Sequence, residues 1–218
     1  MIKIEVVAYH LENAINAVDN GAHRIELCAS PCEGGVTPSY GTISAVKEIL
    51  DVPVHVMIRT RGGDFIYTET EFENMKIDIE ICKSLKVDGI VFGILTKENT
   101  IDKERCKELV ELAKPLTSNF HRAFDRCEHP LRSLEDVIDC GFQRILTSGK
   151  AQVAIEGCGL LAELIKEAND RIIIMPGGGV RKENFVGLAN MTKAKEFHTS
   201  AVNDLNSILN SVETFCKP

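Results

Sequence analysis

No apolar run in the sequence approaches the ~20 residues that a membrane-spanning helix requires, so an integral helical membrane protein is not expected. The opening Met1-Ile2-Lys3-Ile4-Glu5 sets a charge at alternate positions where a secretory signal would carry an unbroken apolar core, and a cytoplasmic location is expected. Positive charge is in deficit: 25 Lys and Arg stand against 32 Asp and Glu, a formal net charge of -7. The acidic residues are spread along helix-like segments, which argues for ordinary solubility and against nucleic acid as a partner. The eight cysteines keep no disulfide-framework spacing and read as reduced thiols. No Met-x-Met repeat accompanies Met57 or Met175, which read as core. No linker, low-complexity tract or composition break divides the chain, and a single domain over 1–218 is expected.

Short β-branched runs recur at intervals of roughly 25 to 30 residues, each followed by a longer stretch of helical periodicity. Eight such units predict a TIM-like (β/α)8 barrel of parallel strands, with an open doubly wound sheet as the alternative. Strands are predicted at Lys3 to Val7, Arg24 to Cys28, Val54 to Ile58, Gly89 to Gly93, Thr117 to His121, Arg144 to Thr147, Arg171 to Met175 and Glu196 to Thr199. Helices are predicted over about 10–20, 39–50, 70–85, 102–114, 131–140, 152–168, 181–190 and 204–215. Asn20-Gly21 and Cys140-Gly141 fit left-handed helix ends, and Thr100 and Ser133 fit N-caps.

In such a barrel, function belongs at the C-terminal ends of the strands. Polar residues gather there: Glu5, Glu26 with Cys28, His55 followed by Arg59, His121 with Arg122, Ser148, and His198 with Ser200. Alternation lets Glu26 and Cys28, His55 and Arg59, and His198 and Ser200 each point inward as a pair.

Three loops add to this mouth. The loop from Cys28 to Ser39 holds Cys28 and Cys32 beside Gly34-Gly35. Thiolates select Cu(I), which accepts few ligands, although two small semi-buried thiols are the other reading. The loop Arg59-Thr60-Arg61-Gly62-Gly63-Asp64-Phe65 brings two guanidinium forks suited to an anion, or an internal Arg–Asp pair. Pro176-Gly177-Gly178-Gly179-Val180 precedes a helix and offers backbone N–H groups to a phosphate, or close strand-to-helix packing. His121-Arg122-Ala123-Phe124-Asp125 places an imidazole, a guanidinium and a carboxylate at one strand end. Cys82, Cys106 and Cys140 fall on predicted helices as packing residues, whereas Cys127, Cys158 and Cys216 have no assigned place.

Together, His23-Arg24-Ile25-Glu26-Leu27-Cys28, Glu33-Gly34-Gly35-Val36-Thr37-Pro38-Ser39, the Arg59–Phe65 loop, Phe120-His121-Arg122-Ala123-Phe124-Asp125, Leu146-Thr147-Ser148-Gly149 and Pro176-Gly177-Gly178-Gly179-Val180 resemble the CutC family of copper homeostasis proteins. The resemblance runs from about Ile4 to Ala201. It implies a TIM-like barrel, a cytoplasmic setting, Cu(I) binding with a role in copper tolerance or trafficking, and assembly into dimers or tetramers. By matching motif, Cys28 is the implied sulfur ligand, and Cys32 is its inferred partner. Relatives carry a long segment before the final helix, but here Val202-Asn203-Asp204 leads almost directly into Leu205, so a shortened last β/α unit is expected.

Two functions follow as expectations. The first is a copper homeostasis protein holding copper at Cys28 and Cys32, with His121 or His55 as helpers. The second is a barrel enzyme acting on a small phosphorylated or carboxylated metabolite. There Arg59, Arg61 and Gly177, Gly178 and Gly179 hold the anion, while Glu26, His121 and Asp125 are the catalytic candidates.

Overall fold

The computed structural model describes residues 2–215. Its strands are β1 (Lys3–Ala8), β2 (Arg24–Leu27), β3 (Val54–Met57), β4 (Gly89–Phe92), β5 (Thr117–Phe120), β6 (Arg144–Thr147), β7 (Ile173–Pro176) and β8 (Glu196–Thr199). Eight helices follow them in turn: α1 (Leu11–Asp19), α2 (Tyr40–Ile49), α3 (Glu69–Ser84), α4 (Lys103–Ala113), α5 (Pro130–Asp139), α6 (Cys158–Ala168), α7 (Lys182–Thr192) and α8 (Leu205–Phe215). The strands pair in parallel in the order β7-β6-β5-β4-β3-β2-β1-β8. At the two ends of that order, β7 packs beside β8, and just beyond β7 the Val180 carbonyl accepts the Thr199 hydroxyl of β8 at 2.8 Å. The expected barrel architecture is therefore present.

Alternation along each strand sorts side chains onto two faces. Ile4, Val6, Ile25, Val56, Ile90, Phe120, Ile145 and Phe197 face outward and are fully buried against the helices. Each such side chain contributes roughly 1.5–3 kcal/mol by leaving water, which makes the sheet–helix layer the principal core. The inward positions are mostly polar, with a small apolar cluster of Val7, Cys28, Met57 and Val91 near the mouth. Met57 and Met175 thus line the interior instead of the outer core, and Met175 Sδ lies 3.3 Å from Arg24 Nη2.

Helix starts are chemically marked. The His10, Ser39 and Asp102 side chains accept from Asn13, Thr42 and Arg105 amides, and Thr68 with Glu71 forms a capping box. The expected N-caps at Thr100 and Ser133 are displaced. The Thr100 hydroxyl pairs with Thr96, leaving Asp102 to cap α4. Ser133 lies inside α5, which opens on Pro130. Gly21 and Gly141 do take the left-handed conformation, with φ of 92° and 90°. The largest departures lie around α6. It begins at Cys158 rather than near 152, because the preceding residues form turns. It ends in Asn169 and Asp170, both at positive φ, which delays β7 to Ile173.

The shortened link after β8 is a single 3-10 turn, Val202–Asp204. α8 still docks: Leu205, Ile208 and Val212 are buried, and Asn206 bonds Asn20 at 3.0 Å. Among the described residues, no helix is long and apolar enough to cross a membrane. Cys82, Cys106 and Cys140 are buried, and so is Cys127, whose thiol faces the Ala123 carbonyl; Cys158 opens α6 half-buried, and Cys216 lies outside the described residues.

Candidate functional site at the barrel mouth

The lower interior is a charged network. Arg24 donates to Glu5 at 2.5 Å and to Glu196 at 2.6 Å, and Arg144 donates to the same Glu196 oxygen at 2.9 Å. Burial alone would raise both carboxyls, but the arginines outweigh it, joined at Glu5 by the His198 hydrogen bond, and hold both below the usual carboxylate range. His55 sits in this layer and not at the mouth where it was expected. Its ring nitrogens meet Asn119 at 2.6 Å and Thr117 at 3.2 Å, and burial lowers its pKa to about 4.

Above that network, a pocket of about 250 Å³ opens at the C-terminal strand ends, lined among others by Glu26, Cys28, Arg59, His121, Arg122 and His198. His198 stands between two carboxylates, with Nδ1 2.8 Å from Glu5 and Nε2 3.9 Å from Glu26. Burial disfavours its cation, yet Glu26 and Glu5 raise its pKa. Burial pushes Glu26 up to about 7, against the pull of His198. Glu26 Oε2 receives the Cys28 thiol at 3.6 Å, while Oε1 has no protein partner. Burial, then the Glu26 charge, raises the Cys28 thiol well above its ordinary range.

His121 is buried against Phe65, with ring centroids 4.7 Å apart. Gly93 makes room for the ring, since a Cβ there would lie 2.7 Å from His121 Nδ1. That nitrogen accepts the Ala123 amide at 3.3 Å, which assigns the ring proton to Nε2, an atom without a protein partner. Burial, with Arg59 adding to it, lowers the His121 pKa to about 3, so the ring is a neutral hydrogen-bond donor.

The remaining sequence candidates divide. Arg59 reaches the pocket, held by the Glu33, Gly35 and Gly63 carbonyls and lying over the Phe65 ring. Arg61 is engaged away from it by Glu71 at 2.6 Å, by Asp64 at 3.0 Å and by the Gly62 and Ile66 carbonyls. Gly178 and Gly179 line the pocket, whereas Gly177 packs between Leu146 and His198. Asp125 accepts from Thr147, Ser148, Lys150 and Arg122, so it anchors the loop after β6. Cys28 is buried in the pocket wall, while Cys32 is exposed on the 3-10 turn Pro31–Glu33.

Among the described residues, one group of three metal-capable side chains converges: Glu5, Glu26 and His198, with ligand atoms within 4.8 Å of one another. Glu5 is already committed to Arg24 and His198, so in this trio it orients the imidazole. The Arg24–Glu196–Arg144 network is absent from the sequence reading. Its signal was the charge at the first position of three strands, on the same alternation as Glu26 and His198.

The family profile described as CutC family matches residues 2–203. A CutC family protein from Parabacteroides distasonis is 51% identical over 199 residues, covering 91% of this chain and 82% of that protein. A human copper homeostasis protein cutC homolog is 47% identical over 198 residues, covering 91% of this chain and 72% of that protein. A solved CutC structure from Streptococcus agalactiae superposes with a TM-score of 0.88 at 36% identity, covering 92% of this chain and 99% of that one. With its barrel and its strand-end motifs in place, the chain belongs to the CutC family of copper homeostasis proteins.

Proposed function

We propose that the chain binds Cu(I) as its cargo through Cys28, in service of intracellular copper tolerance or trafficking. The observation that carries this reading is the Cys28 thiol buried in the pocket wall and directed at Glu26 Oε2, 3.6 Å away. A thiol must lose its proton to ligate a metal, and here the neighbouring carboxylate accepts it. The incoming cation replaces the proton on sulfur, and the proton stays in the pocket on Glu26. A neighbouring donor suits a soft ion: the Met57 thioether shares the cluster of Cys28. Cys32, exposed in the same loop, is the outer thiol that first meets the ion. The reading includes a cytoplasmic setting and self-assembly into a dimer or tetramer, which sizing in solution checks.

Anaerobic Cu(I) titration against a competing chelator tests the site. Cys28→Ser is expected to weaken binding by at least about tenfold, equivalent to ~1.4 kcal/mol, and Cys32→Ser by less. A Cys28→Ser/Cys32→Ser protein that binds copper as tightly as the parent overturns the assignment.

A further inference from the structure

The mouth holds polar atoms that a lone copper ion leaves unanswered. Among the described residues, seven buried side-chain nitrogen or oxygen atoms lack a hydrogen-bond partner, and three of them, Glu26 Oε1, Arg59 Nε and His121 Nε2, belong to residues lining this one pocket. All three residues are at most 4% exposed. Leaving a buried donor or acceptor unpaired costs about 1–3 kcal/mol, so their concentration in one cavity points to a ligand that pairs them. Two are donors, from a guanidinium and a neutral imidazole, and suit a carbonyl or hydroxyl oxygen. The third is a carboxylate oxygen and suits a hydroxyl donor.

A second group of observations concerns charge. Arg122 is tethered by Asp125 at 2.8 Å and by Ser148 at 2.9 Å, which leaves Nη1 beside the glycine turn, where a Gly178 Cβ would come within 3.2 Å of it. Gly178 and Gly179 run at φ of 97° and 70°, a conformation that side chains resist, directly ahead of α7. Arg59, Arg122, Arg126 and Lys150 surround the adjoining rim, on a chain whose net charge is -7. Of the two carboxylates on that rim, Glu33 and Asp125, the second is already saturated by the loop after β6. A local cationic field on an acidic protein, next to backbone amides at a helix start, favours a dianion.

We propose that the barrel mouth binds a small phosphate monoester carrying carbonyl and hydroxyl oxygens. Its phosphate lies on Arg122 and the Gly178–Gly179 turn, and its neutral oxygens pair with Arg59, His121 and Glu26. A volume of about 250 Å³ limits the carbon chain to a short one. This site goes beyond the copper reading and rests on none of it.

The test uses the full chain freed of metal by a chelator, so its outcome stands whether or not copper binds. Dihydroxyacetone phosphate, dihydroxyacetone, inorganic phosphate and malonate serve as probes in calorimetric and thermal-shift titrations. Dihydroxyacetone phosphate is expected to raise the melting temperature and to bind more tightly than inorganic phosphate, with no response to dihydroxyacetone. Arg122→Gln should weaken it by about ten- to a hundredfold, the loss of one charge-assisted hydrogen bond. His121→Phe keeps the ring against Phe65, removes Nε2, and should also weaken binding if Arg122→Gln proves unstable. No shift with either phosphate probe, equal binding of malonate or inorganic phosphate, or full affinity in a folded variant overturns the proposal.

Discussion

Glu5 and Arg24 are register partners across β1 and β2, and inside the barrel the guanidinium Nε lies 2.5 Å from the carboxylate. Both side chains are nearly sealed from water, so removing one partner leaves the other a buried charge with part of its compensation gone: Arg24 would keep only Glu196, which it shares with Arg144, and Glu5 chiefly His198. Glu5→Gln or Arg24→Met is expected to destabilise the protein by about 3–5 kcal/mol, measured by urea denaturation. A loss well under 1 kcal/mol would show that water reaches this layer.

The buried acids and imidazoles set the response to pH, and their signs oppose one another. His55 and His121 titrate at about 4 and about 3 in the fold against an ordinary 6.5, so the unfolded chain binds more protons and acid costs stability below 6.5. Glu26, raised to about 7 from 4.5, binds its proton more tightly in the fold, so over that interval its protonation favours the native state; His198, also raised, adds its gain only as pH falls toward 6.5. Glu5 and Glu196 are lowered, and their contribution is lost only as pH falls below 4.5. Below 6.5 two histidines outweigh one carboxyl, so the unfolded chain binds the more protons; the expected curve declines gradually from about 6.5 to about 4.5 and falls more steeply below. Glu26→Gln removes its own contribution and the charge that raises His198, so its melting temperature should decline more steeply than the parent's as pH falls from 6.5 to 4.5. Parallel curves for variant and parent, followed by circular dichroism, would contradict this account.

Thiol reactivity should separate the two cysteines of one loop. Cys32 is exposed, whereas Cys28 is buried with a raised pKa, so little of it is thiolate at neutral pH. Brief iodoacetamide treatment followed by peptide mass spectrometry should modify Cys32 well before Cys28. Comparable rates at both would mean that the pocket wall opens readily.

The start of α6 depends on close backbone approach. A Cβ at Gly157 would lie 2.0 Å from the Ser148 carbonyl, a contact between main chains that no rotamer relieves. Gly157→Ala is therefore expected to cost about 2 kcal/mol or more, whereas Gly159→Ala, with open space around it, should be neutral or stabilising. Thermal melts of the two variants make the comparison.

The strands are legible because their outward residues are β-branched or aromatic and turn residues bound them; β6 and β8 have the expected limits. The α6 region misleads because its helical composition extends back to 152, while the Gly149–Gly157 contact holds that stretch in turns. At the mouth, Glu26, Cys28, His121 and His198 could be placed by alternation alone. Arg61 could not, because its partner Glu71 lies on the next helix, and a sequence does not say whether a guanidinium meets a ligand or its own chain. His55 shares the inward face with Arg59 but sits two inward positions deeper, with Met57 between them, near the start of β3 and not at its end.

The apolar layer outside the sheet and the polar lining inside it are written on alternate residues. Val56 and Phe197 belong to the first, their neighbours His55 and His198 to the second. Selection for foldability and selection for chemistry therefore act on different letters of the same short words. A lineage of such barrels can exchange one pocket chemistry for another by substitutions that leave the helix ring untouched, and kinship in the outer layer alone will say little about what the pocket holds.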